Sequence, residues 1–395
     1  MTHQEAVLVS CLRTPVGRAK RGSLAQTMPV TLGAKVVREA IRRVPGLQPD
    51  AIDDVLMGCA MPEGPQGLNI GRLVAQRAGL PDTVPGATVN RFCSSGLQTI
   101  AMASQAIESG QADVIVAGGA ESMTMVPMEG FQFIPDPTLI RSEPNAYISM
   151  GLTAERVAEQ FKVNREDQDA FAVRSHQKAI DAIDAARFED EIVPLKVERM
   201  TRVNGVVHVE QVEFGVDEGP RPGTNAESLA TLRPAFKKSG TVTAGNCSQM
   251  SDGAAAAVVM REDMARKLGA TPLARLVSFA VAGVAPDIMG IGPVEAVPKA
   301  LARAGLKLGD IGLIELNEAF ASQSLAVIRA LDLDEGIVNV NGGAIALGHP
   351  LGCTGAKLTA TLLQEMQRRE VRYGIVTMCI GAGMGAAGIF ENLTL

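Results

Sequence analysis

The chain has 395 residues, 46% of them apolar, and a formal net charge of −6. That is enough chain for two or three buried cores. The acidic balance excludes a nucleic-acid or anionic-membrane surface as the main partner, though a local basic patch could still receive a polyanionic small ligand. The 41 glycines, set against two tyrosines and no tryptophan, point to close backbone packing rather than aromatic filling.

The amino terminus, Met-Thr-His-Gln-Glu, lacks a charged n-region and a cleavage site and reads as the approach to a first strand at residues 6–9, not as a targeting peptide. Residues 32–44 read as a helix closed by Pro45-Gly46, 52–57 as a strand and 70–78 as a helix. A short strand at 86–89 runs into Asn90-Arg-Phe-Cys-Ser-Ser-Gly, followed by a helix over about 94–108 and a strand at 114–117. Alternation of this kind argues a mostly parallel α/β layer.

The texture changes over 121–239. Met123, Met125 and Met128 sit in a loop with Pro127, suited either to an adaptable acyl pocket or to core filling. Asn164 caps a long charged helix whose apolar stripe would be Val173, Ile180 and Ile183. Runs at 195–203 and 206–214 flank Asn204-Gly205, the favoured dipeptide of a tight hairpin. This segment reads as an inserted loop domain.

Beyond Gly240 the first third is repeated. The stretch from Asp310 matches that from Ile52, Asn339-Val-Asn matches Thr88-Val-Asn, and 375–378 matches 114–117. Two copies of one α/β unit, with an insertion in the first, account for this. The expected division is 1–120 with 240–272, an insertion at 121–239, and a second half at 273–395. The uncharged run 374–390 approaches membrane-spanning length, but its five glycines suit two buried strands joined by a turn. Ligands of parallel sheets bind beyond the carboxyl ends of strands, so the site should lie between the halves.

Six cysteines (Cys11, Cys59, Cys93, Cys247, Cys353, Cys379) are dispersed without a C-x-x-C pair, so reduced thiols in a cytoplasmic protein are expected, without disulfides or a structural zinc. Cys93 stands where a strand gives way to a helix of small residues. A helix amino terminus lowers a thiol's pKa and offers N–H groups to an oxyanion, although a lone cysteine can equally be core. His349 lies in the only glycine-built loop that holds a histidine, whereas His3, His176 and His208 read as solvated. A thiol and an imidazole in matching halves make a nucleophile–base pair, while a structural loop imidazole is the alternative. Cys379, at a strand end beside glycines, could be a second acid/base or simply core. Asn317 could orient a water or cap a helix. Arg221, Arg233, Lys237 and Lys238 form a basic cluster that would suit a phosphate-bearing ligand or a solvated face.

Taken together, five stretches resemble the thiolase family along essentially the whole chain. They are Val-Asn-Arg-Phe-Cys-Ser-Ser-Gly (89–96), Gly-Asn-Cys-Ser-Gln-Met-Ser-Asp-Gly-Ala-Ala (245–255), Asn-Glu-Ala-Phe-Ala (317–321), the glycine-rich run 341–355 and Cys-Ile-Gly-Ala-Gly-Met-Gly (379–385). The resemblance implies a thiolase-like α/β fold, with two duplicated βαβαβαββ halves in an α/β/α/β/α stack plus an inserted α+β loop domain. It implies Cys93 as the acyl-carrying nucleophile, His349 as the base, Cys379 as the acid/base at the acetyl α-carbon, and Asn317 positioning a water in one oxyanion hole. A second hole would use the N–H groups of Cys93 and Gly381. Arg221, Ser228 and Ser248, with Met150 and Phe320, would contact coenzyme A. The family usually shows a third glycine where this chain has Ala382.

The activity implied is cleavage of 3-oxoacyl-CoA by CoA to acyl-CoA and acetyl-CoA, with no cofactor beyond the substrate coenzyme A and no metal. A homodimer or homotetramer without membrane insertion is also implied. Biosynthetic members typically carry a histidine before the Met-Gly pair that is here Met150-Gly151. Ser149 in that place favours a degradative enzyme open to longer chains. A biosynthetic acetoacetyl-CoA thiolase, a ketoacyl-synthase-type enzyme and a silent acyl-binding relative remain the alternatives.

Overall fold

A computed structural model describes residues 4–204 and 206–395; His3, and Gly205 of the expected hairpin dipeptide, lie outside them. The first strand, β1 (Ala6–Arg13), is buried at every position. It shows no alternation because both of its faces are covered. Helix α1 (Pro29–Arg42) opens on a proline, whose missing N–H costs nothing in a first turn. After β2 (Asp54–Gly58), α2 (Ile70–Ala78) is capped by Asn69, which accepts the Arg72 N–H at 3.2 Å, and it ends at Gly79 with φ +84°. The first half continues with β3 (Ala87–Val89), α3 (Ser95–Glu108) and β4 (Val114–Ser122).

The insertion carries α4 (Met150–Gln160), α5 (Arg165–Asp184) and the hairpin β5 (Leu195–Val203)–β6 (Val206–Phe214), with Asn204 at φ +52°. The first half closes with β7 (Ser251–Arg261). The second half follows as β8 (Ala274–Gly283), α6 (Gly292–Ala304), β9 (Leu313–Leu316), α7 (Ala321–Leu331), α8 (Leu351–Arg368), β10 (Tyr373–Ile380) and β11 (Met384–Asn392). The uncharged run is thus two strands and their turn. Among the described residues no helix is long and apolar enough to cross a membrane.

Strand order makes the duplication explicit: β9-β10-β11-β8-β1-β7-β4-β2-β3. Outward from the β1–β8 junction, a single bridge between Leu8 and Ala274, the two halves have the same order and the same mixture of parallel and antiparallel neighbours. An isolated bridge between Ile314 and Val338 stands where the first half has β3.

The sheet folds over α3 and α8, which form the middle layer. One apolar core joins Leu97 and Ile100 of α3 and Leu358 and Leu362 of α8 to Ile115 on one side and Phe390 on the other. A second core lies under α1 and α2, and a third under α6 and α7. The result is five layers: helix, sheet, helix pair, sheet, helix.

The insertion is tied to β1 by charge. Arg13 is fully buried, with Nε 2.5 Å from Glu191 and both terminal nitrogens 2.8 Å from Asp217. Burial would disfavour the guanidinium, but its two carboxylates hold its pKa above the ordinary arginine value. One expectation is corrected here. The buried face of α5 includes Gln168, Asp169, Phe171, Ala172, Ser175, His176, Ala179 and Ala182, while Val173, Ile180 and Ile183 are only half-buried.

The two middle helices meet backbone to backbone. A Cβ on Gly96 would stand 2.7 Å from the Ala356 nitrogen, and one on Gly355 would stand 2.3 Å from the Leu97 nitrogen. Elsewhere in a helix, Gly→Ala gains about 1 kcal/mol. Here Gly96→Ala is expected to lower unfolding stability by about 1–3 kcal/mol through overpacking. Chemical denaturation checks this, and an unchanged or raised midpoint would refute the close contact.

Candidate active site

Cys93 lies in a single 3-10 turn, Phe92–Ser94, immediately before α3. Phe92 takes φ +42°, an uncommon conformation for a side-chain-bearing residue. Its N–H donates to Asn90 Oδ1 at 2.8 Å, and Ser95 Oγ donates to the Phe92 carbonyl at 2.7 Å, so local hydrogen bonds support the strained turn. The backbone N–H groups of Gly381 and of Cys93 itself lie near the sulfur and favour its thiolate form.

Those donors favour a thiolate, as the helix-start argument anticipated, but burial outweighs them. The Cys93 thiol is pushed up to about 12. At rest this cysteine is a protonated thiol, contrary to the expected lowering of its pKa.

His349 is presented from the loop before α8. Gly348 takes φ +90°, and a Cβ there would stand 2.3 Å from Ser251 Oγ, so glycine is required twice over. The His349 N–H is shared between the Gln249 carbonyl and Ser251 Oγ, each at 3.2 Å.

The imidazole tautomer follows from its neighbours. Asn317 Nδ2, a donor, lies beside Nε2 and assigns that nitrogen as the acceptor, so Nδ1 donates to Thr354 Oγ1, 2.6 Å away, and the Thr354 hydroxyl is left to the Pro350 carbonyl at 3.2 Å. Nδ1 therefore carries the hydrogen. Nε2 is bare and lies 3.4 Å from Asn317 Nδ2, a donor. Burial first, and then the Lys357 cation, hold the ring pKa down at about 3. It is a neutral imidazole with its basic nitrogen turned toward Asn317.

The seam brings these loops together. Leu351, two residues beyond His349, packs in one apolar cluster with Phe92 and Cys93. The buried Glu121 carboxylate at the end of β4 accepts the N–H groups of Ala60 at 2.7 Å and of Gly352 at 2.8 Å, tying the first half to the start of α8. Cys379, near the end of β10, is fully buried beside Phe320 and Met150, and burial raises its thiol well above the ordinary value. Gly381 is open: an added methyl would sit 3.5 Å from Met150 Sδ and 3.7 Å from the Phe92 ring. Ala382 holds φ +64°, the left-handed conformation that a glycine would take without strain. Asn317 is buried, and its Oδ1 has no protein partner. Helix α7 begins only at Ala321, so Asn317 is not its cap.

Arg221 and Ser228 line a cavity of about 290 Å³ with Thr224, Gly245 and Ile345. Ser248 is not on that wall; its N–H donates to the Ala319 carbonyl at 2.9 Å, beside Phe320. The basic cluster disperses, for Lys237 pairs with Glu159 and only Arg221 of the four lines the cavity. His208 is exposed, as anticipated. His176 is not: it is buried against the same cavity, where burial and then Arg221 and Arg18 lower its pKa to about 4. Sequence reasoning missed His176, Thr354 and Glu121. Thr354 lies within the quoted glycine-rich run, and its place in the first turn of α8 was the available signal. Among the described residues no group of three or more His, Cys, Asp or Glu is placed to hold a metal ion.

A family profile described as thiolase, N-terminal domain, matches residues 6–263, and one described as thiolase, C-terminal domain, matches residues 270–392. The chain is 58% identical over 391 residues to a 3-ketoacyl-CoA thiolase of Bacillus subtilis, covering 98% of this chain and 99% of that one. It is 45% identical over 392 residues to peroxisomal 3-ketoacyl-CoA thiolase 1 of Arabidopsis thaliana, covering 98% and 88%. The crystal structure of the Bacillus anthracis acetyl-CoA acetyltransferase superposes with a TM-score of 0.88 at 42% identity, covering 99% of each chain.

The protonated state of Cys93 is directly testable. The ultraviolet difference spectrum between the wild type and Cys93→Ala should show no thiolate band from about pH 7 to about pH 9. A thiolate band in that range would contradict a thiol held near 12.

Proposed function

The chain belongs to the thiolase family, and on that premise we propose how its residues perform the reaction. It is an acyltransferase that cleaves 3-oxoacyl-CoA with CoA. One observation carries the reading: a half-buried thiol near the Gly381 N–H, seated across the seam from a neutral imidazole whose bare Nε2 faces Asn317. His349 takes the Cys93 proton as the sulfur bonds to the 3-oxo carbon. The bond between that carbon and the acetyl α-carbon breaks, and its electron pair leaves on acetyl-CoA as an enolate. Cys379 protonates this enolate, and the proton held by His349 replaces the one Cys379 gave. In the second half CoA gives its thiol proton to His349, attacks the Cys93 thioester and releases the cysteine, which regains a proton from His349.

Oxyanion stabilisation comes from two sources. The converging N–H groups of Cys93 and Gly381 suit the thioester oxygen. The unpartnered Oδ1 of Asn317 supports a water held there for the enolate oxygen, alongside His349. These proton and acyl transfers balance without a metal or redox cofactor. Arg221 and Ser228 in the cavity wall support its use by coenzyme A, and Met150 and Phe320, packed on Cys379, support their place near the reacting thioester.

The physiological role in this reading is degradative, removing acetyl units in β-oxidation. Dispersed free thiols support a reducing, cytoplasmic setting. A homodimer or homotetramer is supported by the open edge of β3 and by Leu68, which is 93% exposed. The reading keeps the insertion as residues 121–239 between two halves, 1–120 with 240–272 and 273–395.

Incubation with acetyl-CoA is expected to add one acetyl group to the intact mass. Cys93→Ala should lose that adduct and at least about 10³-fold of the thiolysis rate. An adduct that persists in Cys93→Ala, or none in the wild type, overturns the assignment. Chain length forms a separate test. Ser149 is an exposed helix cap before Met150. Thiolysis should therefore extend over 3-oxo substrates from about four to about sixteen carbons. Turnover of acetoacetyl-CoA alone would favour the biosynthetic enzyme instead.

A further inference from the structure

His176 is a buried imidazole to which the reaction above gives no task. It sits on the inner face of α5, is 5% exposed, and lines the cavity shared by Arg221 and Ser228. Its Nδ1 accepts the Arg221 backbone N–H at 3.2 Å.

The chemistry of the segment it touches makes that contact significant. Residues 219–223 read Gly-Pro-Arg-Pro-Gly. Pro220 and Pro222 have no N–H, so Arg221 supplies the one amide hydrogen of these three residues. Upstream, the Gly219 carbonyl is held by Gln249 Nε2 at 2.9 Å, and Asp217 is held by Arg13. Downstream, Gly223 turns the chain at φ +77°, and Thr224 Oγ1 donates to the Arg221 carbonyl at 2.8 Å. Ser228 itself is anchored beyond the turn, where Leu229 is buried and Arg165 donates to the Leu229 carbonyl at 2.6 Å, so the His176 contact acts on Pro220-Arg221-Pro222, for which it is the one side-chain acceptor.

We infer that His176 is a positioning residue for coenzyme A, seating Pro220-Arg221-Pro222 through the Arg221 N–H so that Arg221 and Ser228 share one wall of the cavity. This rests on the reading of that cavity as the coenzyme A site. Burial between two arginines keeps the ring neutral, and a neutral ring keeps Nδ1 free to accept. The role passes through Arg221 and does not touch the reacting atoms.

Two variants of similar polarity separate this from general packing. His176→Asn puts its amide oxygen near the Nδ1 position, whereas His176→Gln puts it near Nε2, out of line with the Arg221 N–H. Calorimetry with free CoA on the full chain reads Kd, and steady-state thiolysis reads KM for CoA against kcat. His176→Asn should stay within about threefold of the wild type, while His176→Gln should raise Kd and KM for CoA about tenfold with kcat within about threefold. Equal Kd values for the two variants, or a fall in kcat with KM unchanged, overturn the role of His176. A wild type that binds CoA but does not cleave 3-oxoacyl-CoA overturns the proposed activity instead, and the Kd ratio still decides for or against His176.

Discussion

The constraint on which the site depends is the backbone contact between the two middle helices. Helices ordinarily pack about 8–10 Å apart because side chains intervene. Where Gly96 meets Ala356 and Gly355 meets Leu97 there is no room for even a Cβ. Cys93 lies immediately before one of these helices and His349 immediately before the other. Closing the helices therefore closes the two loops on one another. Gly352 and Glu121 extend the same contact, the first by its lack of a side chain against Cys59 and the second by its hydrogen bonds across the seam.

What this seam assembles is a set of groups that are neutral at rest. Burial pushes the Cys93 thiol up and the His349 imidazole down, so the pair stores no charge until a substrate arrives. Charge then develops where N–H groups already point, at the Cys93 sulfur and beside Asn317. The hydrogen bond from His349 Nδ1 to Thr354 keeps the basic nitrogen on the reacting side. Preorganisation of this kind leaves little reorganisation for the reaction itself. The same burial carries a folding cost. An imidazole that titrates at 6.5 when unfolded and at about 3 when folded leaves stability unchanged above pH 6.5, and stability falls as pH drops from there toward about 3, because the unfolded chain takes up the proton first.

Much of this was legible from residue order. The duplicated strand–helix pattern located both halves, and the matching positions of Cys93 and His349 within them located the seam. Glycine spacing marked the loops because close backbone approach permits no other residue. What was not legible depended on tertiary burial. The direction of the Cys93 shift is set by layers packed from distant segments, which a local helix-start argument does not contain. His176 lies among Arg174, Gln177, Lys178 and Asp181, so its neighbours in sequence read as a solvated face. Its burial comes from α5 lying against the short helix Ala344–Leu347 that leads into the His349 loop. A buried helix face that includes Gln168, Asp169 and Ser175 leaves only a weak apolar period to read.

The central claim is that a protonated Cys93 reacts because His349 removes its proton as the new bond forms. The most direct measurement is the rate of Cys93 alkylation by iodoacetamide, followed by intact mass, in the wild type and in His349→Asn at neutral pH. The predicted result is rapid alkylation of the wild type and a rate at least about 100-fold lower in His349→Asn. Equal rates in the two proteins would mean that the thiol ionises without the imidazole and would contradict the account.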